Sequence, residues 1–215
     1  MLIIPHLVAK FYFVCFTYIM KVLFNTGGNF KARYIHKVTI HKFNEQEKQG
    51  YIPVDTSLVE INPNNKKDVD AVGKAIKNWG YEDEFGYCIY DDLNSIRDGC
   101  SQGRNNKVYA ITLQSNHLRT MDGNKILGLG EVTKESKKIV NIDYLQVEPE
   151  STFLRGSKKY INTGRNLVHF FQEKFSKKII TVKSTYRAAN FYEKMGFEIF
   201  DVKNMVYIFK PFKKR

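Results

Sequence analysis

Cysteine is scarce in this chain. Cys15, Cys88 and Cys100 are odd in number and none lies in a CxxC spacing. A disulfide framework is therefore not expected, and the thiols fit a reducing, cytoplasmic setting. The five histidines form no HxH or HxxxH pair, so no zinc-ligand spacing is present and no metal is expected. No internal repeat or low-complexity segment occurs. Acidic side chains are also in deficit, with 22 Asp and Glu against 34 Lys and Arg and a formal net charge of +12. That balance favours an anionic partner such as nucleic acid, a membrane surface or a phosphate-rich small molecule. Any single lysine pair reads equally well as solvated surface.

Long apolar runs are missing too. The longest, FYFVCFTYIM at residues 11–20, lies between Lys10 and Lys21 and is too short to span a bilayer. No small-x-small cleavage site follows it, which argues against a signal peptide. Residues 1–24 read as an apolar extension: first as the product of an early start, with Met20 a natural beginning, and next as an extra element buried on the domain. A membrane anchor ranks last, and no stable membrane insertion is expected.

What is present is enough for one domain. With 43% hydrophobic and 14% aromatic residues in 215, the chain can bury a sizeable core. Residues 37–43 and 57–61 read as short strands. Val69, Val72, Ala75, Ile76 and Trp79 have helical spacing, stopped by Gly80. A second helix fits 84–96. The period then changes: KVYAITL (107–113), KILGLGEV (125–132) and KIVNIDYLQV (138–147) read as strands, the last two as an antiparallel hairpin. A helix follows from a cap at Asn162 or Thr163, with Leu167, Val168, Phe170, Phe171 and Phe175 on its apolar face. KIITV (178–182) is strand-like, Ser184 or Thr185 caps a helix over AANFYEKM, and two short strands close the chain. The order predicts a single mixed α/β domain with a parallel element in its second half.

Three segments, IDYLQVEPE (142–150), KYINTGRNL (159–167) and AANFYEKMGF (188–197), in this order resemble the GNAT superfamily of N-acetyltransferases. The resemblance covers residues 38–210 in element order and 139–200 in residue pattern. It implies a single GNAT-like domain over 25–215: a mixed, mostly antiparallel sheet with a central splayed parallel strand pair, flanked by helices. It also implies acetyl-CoA as cofactor. The strand 143–147 would part from its neighbour 178–182, leaving Leu145 and Val147, with Gln146 between them, to pair through the backbone with the amides of pantetheine. A backbone N–H there could also stabilise an oxyanion. An ordinary buried strand explains the same side chains.

The family's phosphate loop reads Arg/Gln-x-x-Gly-x-Gly/Ala. Lys159, Asn162 and Gly164 stand at those places, followed by Arg165 and Asn166 inside the helix, with Thr163 at its start. Only the last glycine matches. Helix N-termini accept anions without a metal, and Asn tolerates a left-handed backbone. The family's frequent asparagine before the last helix is replaced by Thr185.

The resemblance places Tyr192 as the acid that protonates the departing thiolate, with Phe191 turned into the core. A packing aromatic is the plainer reading of Tyr192. For the base, Asp143 and Glu131 compete. Strict alternation gives Asp143 the same facing as Leu145 and Val147, and either carboxylate reads equally as a solvated strand residue. Glu82, Asp83, Glu84, Asp91 and Asp92 form an acidic run that is a solvated helix face or an attractor for a cationic amine. The expected activity is acetyl transfer from acetyl-CoA to a primary amine by direct attack in a ternary complex, in a monomer or homodimer. The alternatives are a non-catalytic CoA-binding module and a nucleic-acid-associated one.

Overall fold

The computed structural model describes residues 31–47, 50–80, 85–100, 105–115, 120–149 and 158–211. The N-terminal extension, Glu82–Glu84 and the segment 150–157 lie outside the described residues. Among the described residues no helix is long and apolar enough to cross a membrane.

Strands β1 (Arg33–Phe43) and β2 (Tyr51–Glu60) form a long antiparallel hairpin. Helix α1 (Lys66–Trp79) follows. Its start is fixed by the Asn65 side chain, which accepts from the Lys67 N–H at 3.0 Å. Its end is fixed by Gly80 at φ 70°, whose N–H returns to the Ile76 and Lys77 carbonyls. Helix α2 (Phe85–Arg97) buries Gly86, Ile89 and Leu93. Strands β3 (Asn106–Thr112), β4 (Ile126–Thr133) and β5 (Ile139–Val147) are antiparallel neighbours. A two-residue strand β6 (Tyr160–Ile161) pairs back to β1. Helix α3 (Thr163–Lys174) leads to β7 (Ile179–Lys183), and helix α4 (Ala189–Lys194) to β8 (Glu198–Asp201) and β9 (Val206–Phe209).

Among the described residues nine strands form one sheet in the order β6-β1-β2-β3-β4-β5-β7-β9-β8. Of these neighbours only β5 and β7 are parallel, joined by the crossover through α3. The fold class expected from the sequence is the one observed. Two cores result. One, with Leu167, Phe171, Ile142, Val182 and Tyr192, lies on the face covered by α3 and α4; the other, with Val72, Ile76, Ile89 and Leu129, lies under α1 and α2. Each fully buried Leu, Ile or Phe contributes about 1.5–3 kcal/mol of transfer free energy.

Strand β4 sits mid-sheet and is buried on both faces, which explains its ILGLGEV composition. Two of its glycines set the height of α3. A Cβ on Gly130 would meet Phe171 Cζ at 2.8 Å, and one on Gly128 would meet Thr163 Cγ2 at 2.7 Å. With only hydrogens there, the helix packs directly against the strand, and its N-terminus lies beside β4 and β5.

Candidate active site: a parted strand pair and a helix start

The parallel pair is short. It runs from Ile139 opposite Ile179 to Ile142 opposite Val182 and stops, although β5 continues to Val147. The next residue, Asp143, is an extra residue on β5. Its partner strand passes from Glu131, opposite Tyr144, directly to Val132, opposite Ile142. This is a β-bulge, which bends and twists the strand that carries it. Beyond it, the Glu148 N–H donates to the Leu127 carbonyl of β4 at 2.9 Å. By the alternation of an antiparallel ladder, the Leu145 and Val147 backbone groups point the other way, into the gap left by β7. Gln146 is buried, and its side-chain amide donates to the Val147 carbonyl at 3.4 Å.

The bulge corrects the facing expected for Asp143. Ile142 belongs to the α3-side core and Leu145 packs against it, while Tyr144 between them packs against the α1–α2 side. Strict alternation does not survive the extra residue, and Asp143 is electrostatically coupled to Glu131, not aligned with Leu145 and Val147.

At the start of α3, Asn162 adopts φ 73°. The left-handed backbone is as expected, but the capping mode is not: its side chain makes no cap bond and instead meets His41 Nδ1 at 3.3 Å. Asn166 Nδ2 donates to the Thr39 carbonyl at 3.0 Å. These contacts tie the helix start to β1. Thr163 is buried, and its hydroxyl has no hydrogen-bond partner among the described residues. A Cβ on Gly164 would meet Val147 Cγ1 at 3.5 Å and Phe191 Cζ at 3.6 Å, ordinary contact distances. The protein itself therefore does not require glycine there. Arg165 is exposed, and the Lys159 carbonyl accepts from the Phe43 N–H at 2.8 Å. Thr185 is exposed and precedes the turn Tyr186–Ala188; neither it nor Ser184 caps α4 through a side chain, since Ser184 Oγ donates to the Thr185 carbonyl. The structure thus brings Leu145, Val147, Asn162, Thr163 and Gly164 together at one end of the sheet.

Tyr192 and Phe191 divide the work differently from expectation. Tyr192 is the buried one, 5% exposed, with its ring edge-on to Phe191 and Phe197 at 5.1 and 5.6 Å and tilted against Tyr207. Phe191 is half-buried beside Gly164. Burial pushes the Tyr192 phenol well above its usual pKa, so it keeps its proton at every physiological pH.

On the opposite face lies a buried acidic group. Glu131 is 0% exposed. Burial first, then Asp92 from α2 and Asp143, push its carboxyl up to about 8, partly offset by Asn106. Asn106 Nδ2 donates to Glu131 Oε1 and Thr133 Oγ1 donates to Asn106 Oδ1, both at 2.7 Å. A second chain holds Asp143: Thr181 Oγ1 donates to Asn141 Oδ1 at 2.9 Å, and Asn141 Nδ2 donates to Asp143 Oδ1 at 2.7 Å. Asp143 Oδ2 is buried with no hydrogen-bond partner among the described residues. Tyr144, raised to about 12 by burial and by Cys88, Asp92 and Glu131, completes this side. Sequence reading named the two carboxylates but missed the amides and hydroxyls that hold them. The only signal was polar residues at alternate positions of otherwise apolar strands.

No family model and no curated protein matches the chain. Among solved structures, similar ones include an acetyltransferase from Streptococcus agalactiae at 16% identity, covering 73% of this chain and 98% of that one with a TM-score of 0.47. An acetyltransferase from Thermus thermophilus matches at 12% identity, 72% and 96% coverage and 0.46. The N-acetyltransferase PseH of Campylobacter jejuni matches at 14%, 70% and 94%, and 0.41. The likeness is one of fold alone.

Proposed function

We propose that the chain is an acetyl-CoA-dependent N-acetyltransferase acting on a primary amine. The observation that carries this reading is the strand pair parted after Ile142 and Val182, opening beside the start of α3. A parted parallel pair offers backbone donors and acceptors to an extended amide chain. The adjoining helix start offers N–H groups and partial positive charge to a pyrophosphate. The residues present fit such a ligand. A Cβ on Gly164 would meet only ordinary contacts, and the buried Thr163 hydroxyl has no hydrogen-bond partner among the described residues.

In this reading Leu145 and Val147 bind pantetheine through their backbone, with Gln146 setting the Val147 carbonyl. Lys159, Asn162, Thr163, Gly164, Arg165 and Asn166 form the phosphate side, with Thr185 at the far rim. When bound, acetyl-CoA supplies an acetyl group activated as a thioester. Asp143, aimed by Asn141 and Thr181, accepts the amine's proton at Oδ2. Glu131 is the weaker base at neutral pH, because a carboxyl with a pKa of about 8 is mostly protonated there. Tyr192 Oη, protonated at neutral pH, is assigned the proton given to the leaving group, and burial makes its phenol a weaker acid than a solvated one.

Calorimetry with acetyl-CoA and thiol release over a panel of amines test the reading. Tyr192→Phe is expected to lower turnover by about 10²–10⁴, the range for loss of a general acid, while acetyl-CoA still binds. Equal turnover in the two proteins would remove Tyr192 from the chemistry, and absence of acetyl-CoA binding to the wild type would remove the reading itself.

A further inference from the structure

The end of the sheet away from the parted strands carries a feature unrelated to that site. Two turns adjoin there, the β4–β5 hairpin tip at 134–138 and the α3–β7 turn at 175–178, joined by the Ile179 N–H to the Lys138 carbonyl at 2.9 Å. Between them they carry Lys134, Lys137, Lys138, Lys177 and Lys178 against one carboxylate, the exposed Glu135. Four of the five lysines are exposed and Lys178 is half-buried. Among the described residues none of the five takes part in an ion pair.

Like charges so placed repel, and solvent separation is the cheaper arrangement. Here Lys134 and Lys178 are instead held close, and partial desolvation followed by the Lys134 ammonium keeps the Lys178 amine below the usual lysine value. The turns themselves are fixed. Ser136 Oγ accepts the Lys138 and Ile139 N–H groups at 3.2 and 3.0 Å, and the Lys178 N–H donates to the Phe175 carbonyl at 2.8 Å. Nearby Arg33 and Lys107 share the single carboxylate of Glu60, so the surplus of positive charge extends along this end of the sheet.

We propose that these two turns are a docking surface for the phosphate backbone of a nucleic acid. Ammonium groups concentrated on two fixed turns attract a polyanion, and binding releases condensed counterions from it. The cofactor's own phosphates are not the explanation. Eight residues of extended strand separate Ile139 from Val147, roughly 26 Å at ~3.3 Å per residue. A membrane surface fits less well, because insertion needs apolar side chains beside the charge. Among the described residues the most exposed large apolar ones, Tyr186 at 87%, Phe200 at 72% and Val202 at 71%, lie at the opposite end of the sheet. The proposal does not depend on acetyl-CoA binding at the parted strands.

Fluorescence anisotropy of the full chain with a labelled 20-nucleotide single-stranded RNA and with a 20-base-pair DNA duplex tests it. Five phosphate contacts predict a slope of log affinity on log salt of about −3.5 for the single strand and about −4.5 for the duplex. For the RNA this is about a hundredfold loss between 50 and 200 mM salt. Replacing Lys134, Lys137 and Lys178 together by Gln should reduce the RNA slope to about −1.4. The same change at Lys77, Lys194 and Lys203, exposed lysines elsewhere, should leave it unaltered. Comparison of the two probes shows which polymer is preferred. The proposal is overturned by no binding at 50 mM salt, by equal weakening in both triple variants, or by a wild-type slope in the first. It is equally overturned if phosphatidylserine vesicles, and neither nucleic acid, bind through the three lysines.

Discussion

The buried carboxyl of Glu131 makes stability depend on pH in a direction that is unusual for an acidic residue. In the unfolded chain a glutamate loses its proton near pH 4.3; in the folded protein burial, Asp92 and Asp143 hold it to about 8. Between those values the native state binds more protons than the unfolded state. Stability therefore falls as pH rises, and the full penalty is present above pH 8. At ~1.36 kcal/mol per pKa unit, integrating from pH 5 to pH 8 gives a loss of about 3.5 kcal/mol from this one group. Glu131→Gln removes the titration while preserving the shape. The glutamine oxygen still accepts from Asn106, and its amide can donate to Asp92. Urea unfolding of both proteins at pH 5, 6, 7 and 8 reads the difference directly, and other titrating groups, Asp68 among them, cancel in the comparison. The variant should gain on the wild type by about 3.5 kcal/mol over that span. Two stability curves that run parallel across the range would refute the assignment of a raised carboxyl at this position.

Two glycines separate fold from ligand. Gly130→Ala places a methyl group 2.8 Å from the Phe171 ring, and overpacking of that kind costs about 1–3 kcal/mol. The urea midpoint should fall with an unchanged slope. Gly164→Ala meets only ordinary contacts at 3.5 and 3.6 Å, so the urea midpoint should hold or rise. Acetyl-CoA affinity by calorimetry should nevertheless drop at least about tenfold, the equivalent of ~1.4 kcal/mol; unaltered affinity would place the phosphates elsewhere.

The elements of the fold were largely legible because their signals are local. Helix α1 shows its apolar stripe from Val69 to Trp79 and its stop at Gly80, and the β4–β5 hairpin shows two strand-like runs across a polar turn. Strand β6 was not legible, since two residues carry no period and their partners His41 and Lys42 are remote in sequence. The division between Phe191 and Tyr192 was also hidden. Both are aromatic and adjacent on one short helix, and which turns inward is decided by Phe197 and Tyr207 on the inside and by Gly164 on the outside. Glu131 stood out in an apolar strand, but Asp92, which faces it, belongs to a helix that read as a solvated acidic surface.

The bulge at Asp143 was the feature least available to a sequence reading, and the proposed chemistry depends on it most. No glycine or other residue type marks it, so strict alternation carries through and assigns Asp143 to the side of Leu145. One extra residue reverses that. It gives Asp143 to the face of Glu131 and Asn141 while Leu145 stays with the core under α3. The same residue immediately follows Ile142, where pairing with β7 ends. An ordinary strand would have placed the carboxylate and the free backbone groups on a closed ladder. With the bulge, the β5 backbone beyond Ile142 has no strand partner on the β7 side among the described residues, and Asp143 lies where that pairing ends. The proposed function assigns the first to the extended amide chain and the second to the amine's proton.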